Sequence, residues 1–157
     1  MTITKGYDDG SVVHFPGMVT RAGGEYNDGM LMDETGTPGR VCAVTTRSTG
    51  EDAQGRTSKN LTANSDIAGV IVGDSRAYIR DYPQYGAIPV LSNGYICVIA
   101  VTDVTAGAHV GYDANGNVGA VDYDAEAGTG TYYPINDLTK FETDAHAGEQ
   151  VVIRILV

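Results

Sequence analysis

Helical periodicity is almost missing from this chain. No stretch of a dozen residues keeps apolar groups at 3.6-residue spacing without a glycine or proline interrupting it. The best candidate, residues 136–147, has room for one turn. The 21 glycines follow no collagen period, so they mark tight turns between short strands. That leaves an all-β fold.

Strand signals recur along the chain, at residues 11–15, 40–46, 68–72, 87–91, 95–102, 108–112, 118–121 and 150–157. Each is bounded by Gly, Asn, Asp or Pro. The last alternates cleanly, with Val151, Ile153, Ile155 and Val157 on one face and Val152, Arg154 and Leu156 on the other. Residues 95–101 are apolar on both faces, which predicts a central strand covered on both sides. Asn93-Gly94 and Asn115-Gly116 each sit between strand candidates and predict hairpins with type I′ turns. Closely spaced strands with hairpin turns imply one antiparallel sandwich or small barrel. Residues 11–157 form that single domain. Residues 1–10 lack a core of their own and read as an extended arm, and residues 46–66 read as a long polar surface loop.

Charge narrows the function classes. Twenty acidic residues against ten basic ones give a formal net charge of −10, with lysine only at Lys5, Lys59 and Lys140. A field of that sign repels phosphate backbones, so nucleic acid is not an expected partner. No apolar run approaches the ~20 residues of a membrane-spanning helix, and the first residues have no apolar leader core. No membrane partner is expected. Cys42 and Cys97 each sit inside an apolar run and read as small buried hydrophobes rather than a disulfide or a metal site.

Catalytic patterns do not assemble. There is no nucleophile elbow, and His14, His109 and His146 are scattered, which fits ordinary structural or surface histidines. The glycines at 36–39 and 128–130 join no strand to a helix, so phosphate-cradle readings lack their context. The loop Asp113-Ala114-Asn115-Gly116-Asn117 resembles the start of a calcium loop but lacks the downstream bidentate glutamate. Asp122, Asp124 and Glu126 read as a solvated acidic loop. No catalytic residue, metal or cofactor is expected, and the chain is not expected to be an enzyme. A small trimeric nucleotide hydrolase would need ordered Asp, Ser and Arg motifs that are missing.

One connection stands out. Residues 73–86 (GDSRAYIRDYPQYG) place Arg76, Tyr78, Arg80, Tyr82 and Tyr85 between two strong strand candidates. Tyr and Arg dominate interface hot spots because they offer large contact areas with polar tips. These five residues are the candidate protein-contact site, against the plainer reading that the tyrosines cap one end of the fold.

The order of features resembles a known family. Phe15-Pro16-Gly17-Met18 is followed by Val41-Cys42-Ala43-Val44, Ala68-Gly69-Val70-Ile71-Val72, and a Tyr-rich segment. Then come Ile88-Pro89-Val90-Leu91-Ser92-Asn93-Gly94-Tyr95-Ile96-Cys97-Val98, Val104-Thr105-Ala106-Gly107-Ala108-His109-Val110-Gly111-Tyr112, and Phe141-Glu142-Thr143-Asp144-Ala145-His146-Ala147-Gly148-Glu149. This progression is similar to that of the phage capsid cement, or head decoration, proteins. It covers about two-thirds of the chain and leaves out residues 46–66. The chain departs from the pattern at Ala108, where the family usually has Asp.

The resemblance implies a compact antiparallel, jelly-roll-like domain with no active site. It further implies a virion protein on the outer capsid surface, assembled in the bacterial cytoplasm. Such proteins form small homo-oligomers, a trimer being expected here ahead of a dimer, and bridge neighbouring major capsid proteins. A clamp of that kind stabilises a shell by binding only the assembled, expanded lattice. The alternative is a carbohydrate- or receptor-binding β module of a virion, against which the absence of Trp counts.

Overall fold

The computed structural model describes residues 15–21, 23–46, 56–58, 60–73, 81–122 and 132–157. Ten strands and no helix occupy these residues: β1 (Glu25–Met32), β2 (Val41–Thr46), β3 (Arg56–Ser58), β4 (Ile67–Ile71), β5 (Ala87–Ile99), β6 (Val110–Tyr112), β7 (Val118–Ala120), β8 (Tyr133–Pro134), β9 (Lys140–Phe141) and β10 (Gln150–Leu156). The expected arm and most of the expected strand at 11–15 lie outside the described residues.

The larger sheet runs β1-β3-β2-β4-β5-β10-β9, and β1 also pairs with β5. That extra pairing closes β1, β3, β2, β4 and β5 into a ring, with β10 and β9 extending from it. All pairs are antiparallel except β1 with β3. The smaller sheet is β7-β6-β8. The all-β, sandwich-or-barrel expectation holds.

Side-chain alternation sorts the core into two clusters. Cys42 of β2, Met30 and Met32 of β1, Ala68 and Ile71 of β4, and Ile88 and Val90 of β5 pack together. Because these residues come from four strands of the ring, they fill its interior. The opposite faces, including Val41, Val70, Leu91, Ile96 and Val98, join Val151, Ile153 and Ile155 of β10 and Val110, Tyr112 and Val118 of the smaller sheet. This second cluster is the seam between the sheets. Burying each Val, Leu or Ile contributes about 1.5–3 kcal/mol, so the two clusters supply the main folding force.

Two expected features are corrected. Asn93-Gly94 makes no hairpin: residues 87–91 and 95–99 belong to one strand, and β10 pairs continuously with it from Asn93 to Ile99. A register shift opposite Glu25 and Tyr26 inserts an extra β5 residue between Leu91 and Asn93. This bulge moves the apolar phase, so that Ile88 and Val90 face the ring while Ile96 and Val98 face the seam. Residues 46–66 are likewise more than a loop. β3 sits between β1 and β2, and Leu61 is buried in the seam with its N–H donated to the Ala114 carbonyl at 3.0 Å.

The other Asn-Gly does make a hairpin, of a different turn type. Gly116 donates to the Asp113 carbonyl at 3.0 Å and has φ +76°, while Asp113 donates to Asn117 O at 3.1 Å. This is a three-residue connection ending in a left-handed glycine. The Asp113 carboxylate accepts from the N–H groups of Asn115 (2.8 Å) and Asn117 (2.9 Å) and from the Asn117 side chain (2.8 Å). Hydrogen bonds within its own loop therefore engage both of its oxygens.

In residues 136–147, the Asn136 side chain accepts the N–H groups of Leu138 and Thr139, as at a helix start. The chain nevertheless enters β9, because buried Phe141 pairs with Ile153. Tyr112 is buried and donates its hydroxyl to Thr62 O at 2.8 Å. Burial, then neighbouring Tyr133, raises its pKa.

Candidate interaction surface

The Tyr- and Arg-rich connection leaves the barrel after β4 and re-enters at β5. Its first end is rooted where three chain segments cross. Gly73 donates to Gly17 O at 2.9 Å, Gly17 donates to Cys97 O at 2.8 Å, and Gly39 donates to Ile71 O at 2.8 Å. The crossing is tight enough that a Cβ on Gly17 would lie 2.6 Å from the Gly73 nitrogen.

The far end is held as firmly. Tyr82 and Gly36 exchange both backbone hydrogen bonds, at 2.7 and 2.9 Å, and the half-buried Tyr82 ring packs against the ring-interior cluster. Its hydroxyl donates to Val72 O at 2.7 Å. Tyr82 therefore roots the connection rather than projecting from it.

Tyr85 is the opposite case. Gly86 donates to Pro83 O at 2.9 Å, closing a turn in which Tyr85 is the third residue with φ +61°. Among the described residues it is the only non-glycine with positive φ. Positive φ confined to that position defines a type II turn, where Gly or Asn normally stands. The turn is clamped by Tyr85 N–H donating to Met32 O at 2.7 Å, Met32 N–H donating to Gly86 O at 3.2 Å, and the Gln84 side chain donating to Asp33 O at 2.9 Å. The Tyr85 side chain is 63% exposed. The scaffold holds a bulky aromatic in a costly backbone conformation and points it at solvent.

Of the five residues named from sequence, Arg76, Tyr78 and Arg80 lie outside the described residues. The structure brings Tyr82 and Tyr85 to one end of the ring in different roles. Beside their root is a cleft of about 280 Å³, lined by Pro16, Pro38, Arg40, Asp81, Ile99 and Asn117. That is just below the ~300–1,000 Å³ range of ligand sites.

The titratable groups elsewhere serve turns. Asp103 accepts from Ala147 N–H at 2.9 Å, Asp144 from Ala106 N–H at 2.8 Å, and Glu149 from His146 N–H at 2.9 Å. Exposed His146 lies 3.6 Å from Asp103. His109 sits 3.1 Å from Asp137, with the Lys140 amine also reaching its ring nitrogen. Cys42 and Cys97 are buried and form no disulfide, and burial pushes the Cys97 thiol up to about 11, so it is not a poised nucleophile. His14 lies outside the described residues. Among those described, no three His, Cys, Asp or Glu side chains converge as a metal site.

Comparison with known proteins agrees with this architecture. Residues 3–156 match the family described as "Structural cement protein (E217 gp24/Pam3 gp6)". No curated protein matches the sequence. Among solved structures, one similar chain comes from the capsid of Myoviridae phage XM1. It has a TM-score of 0.70 and 14% identity, over 92% of each chain. Another is the head fiber gp8.5 N base of bacteriophage phi29, with a TM-score of 0.54 and 14% identity over 83% of this chain and 92% of that one. At such identities the likeness is one of fold.

Proposed function

This chain belongs to the structural cement protein family of phages, and from that premise we propose that it binds the outer surface of the expanded head and bridges neighbouring major capsid proteins. Its broad role is capsid-stabilising and structural, and the family is not an enzyme type. The family match over residues 3–156 carries the reading. The structure supports it with a closed barrel that presents the clamped, exposed Tyr85 turn at one end.

Docking runs through the 76–85 segment. Arg76 and Arg80 pair with capsid carboxylates, Tyr78 and Tyr85 supply desolvated contact area, and Tyr82 fixes the root. Copies associate with closed symmetry, a trimer ahead of a dimer, since closed rings suit small subunits at symmetry-related lattice sites. The 1–10 arm reaches a neighbouring copy. Binding only to the assembled lattice stabilises that lattice by mass action, and several modest contacts made together give it strength.

The test is co-sedimentation of the pure protein with undecorated expanded heads, alongside the heat resistance of those heads. Saturable docking that raises heat resistance is the expected result. Heads that neither bind the protein nor gain stability would overturn the reading. Light scattering with and without residues 1–10 tests the oligomer.

A further inference from the structure

A bridging protein needs two separated contact surfaces, and the structure contains a second candidate away from Tyr85. On β5, β10 and β9, Tyr95, Arg154 and Lys140 stand directly opposite one another. Directly paired residues project from the same face, with Cβ atoms about 5 Å apart. The Arg21 guanidinium stacks on Tyr95, 3.9 Å from the ring centroid. Three of the chain's ten cationic residues thus form one row on a protein of net charge −10.

The row is poorly neutralised from within. Arg154 and Arg21 are exposed and have no ion-pair partner among the described residues. Lys140 has Asp137 at 4.0 Å and His109 beside it. Other acids flank the row, with Glu25 opposite Asn93 on β1 and Glu142 just beyond β9. Tyr95 lies eight positions along β5 from Ala87, about 26 Å at ~3.3 Å per residue, so the row and the Tyr85 turn lie toward opposite ends of this strand.

We propose that the Arg21–Tyr95–Arg154–Lys140 row is a second docking surface, which takes a carboxylate-bearing face of the neighbouring shell subunit. This rests on the cement reading. It explains how one compact domain touches two subunits, with an aromatic anchor at one end of β5 and a cationic contact toward the other. A face-to-face contact of the row with its own copy would set like charges together, so the occupant is a different surface.

The test compares the parent with Arg154→Glu, Arg21→Glu and, as a charge control, Ala63→Glu in the exposed loop before β4. Each is measured for melting temperature, oligomer mass and docking on undecorated heads over a range of salt. Both reversals at the row should weaken docking about tenfold or more at low salt, with the difference shrinking as salt screens it. Melting, mass and the control should stay near the parent. Unchanged docking by Arg154→Glu and Arg21→Glu, with the parent still binding, overturns the row and leaves the cement reading intact. A change in oligomer mass instead assigns the row to contact between copies and also overturns the proposal. A parent that fails to bind heads overturns both.

Discussion

Val41 and Gly116 fasten the smaller sheet to the barrel through their backbones alone. Val41 N–H donates to Gly116 O at 2.9 Å, and the Val41 carbonyl oxygen lies where a Cβ on Gly116 would come within 2.3 Å of it. Gly116→Ala therefore meets a backbone atom that cannot swing away, in a residue held at φ +76°. The expected loss is about 2–4 kcal/mol, or roughly 5–15 °C in melting temperature for a domain of this size. Calorimetry that found the variant as stable as the parent would contradict this latch.

The neighbouring carboxylate sets a second expectation. Asp113 takes three N–H donors in the same hairpin, so Asp113→Ala strands loop amides that have no substitute acceptor of that reach. A cost of about 1–3 kcal/mol is expected in denaturant melts, with Asp113→Asn milder. Equal and negligible effects from both would show that water replaces the carboxylate freely.

Tyr85 should separate stability from function. A non-glycine residue in the left-handed region costs roughly 1–2 kcal/mol, and Asn visits that region more readily than Tyr. Tyr85→Asn should hold stability or raise it by up to about 1 kcal/mol, read from denaturant melts, while weakening docking on heads. Lowered stability with intact docking would make Tyr85 a structural residue.

Cys97 gives a pH expectation. Burial raises its thiol from 9.0 to about 11, so the folded state keeps the proton after the unfolded chain has lost it. This contribution to stability is present in full below pH 9 and declines as pH rises through about 11. Thiol reagents at mildly alkaline pH should label Cys97 slowly until denaturant is added. Rapid labelling of the native protein would mean that β5 opens locally.

Much of the barrel could be read directly from residue order. The alternation in β10 and the apolar runs of β2, β4 and β5 predict strands where strands occur, because burying one or both faces leaves a period-two or continuous pattern. β1 carries no clear strand signal, because Asn27-Asp28-Gly29 has the residue types of a turn. A register shift between Asn27 and Met30 absorbs it as a bulge instead. β3, β8 and β9 are two or three residues long and hold their places through partners distant in sequence, which no local pattern reports.

The candidate site divides along the same physical line. Composition and residue order determined that residues 73–86 concentrate Tyr and Arg, that the chain is acidic, and that strands rather than helices must bury its apolar groups. Those are properties of side chains and local spacing. Tertiary structure decided that Tyr82 turns inward to bond Val72 while Tyr85 turns outward on a strained turn. It also decided that Arg21, Tyr95, Lys140 and Arg154, scattered along the sequence, meet in one row. Direction and adjacency across strands depend on register, and register is fixed only when the ring closes and the core packs.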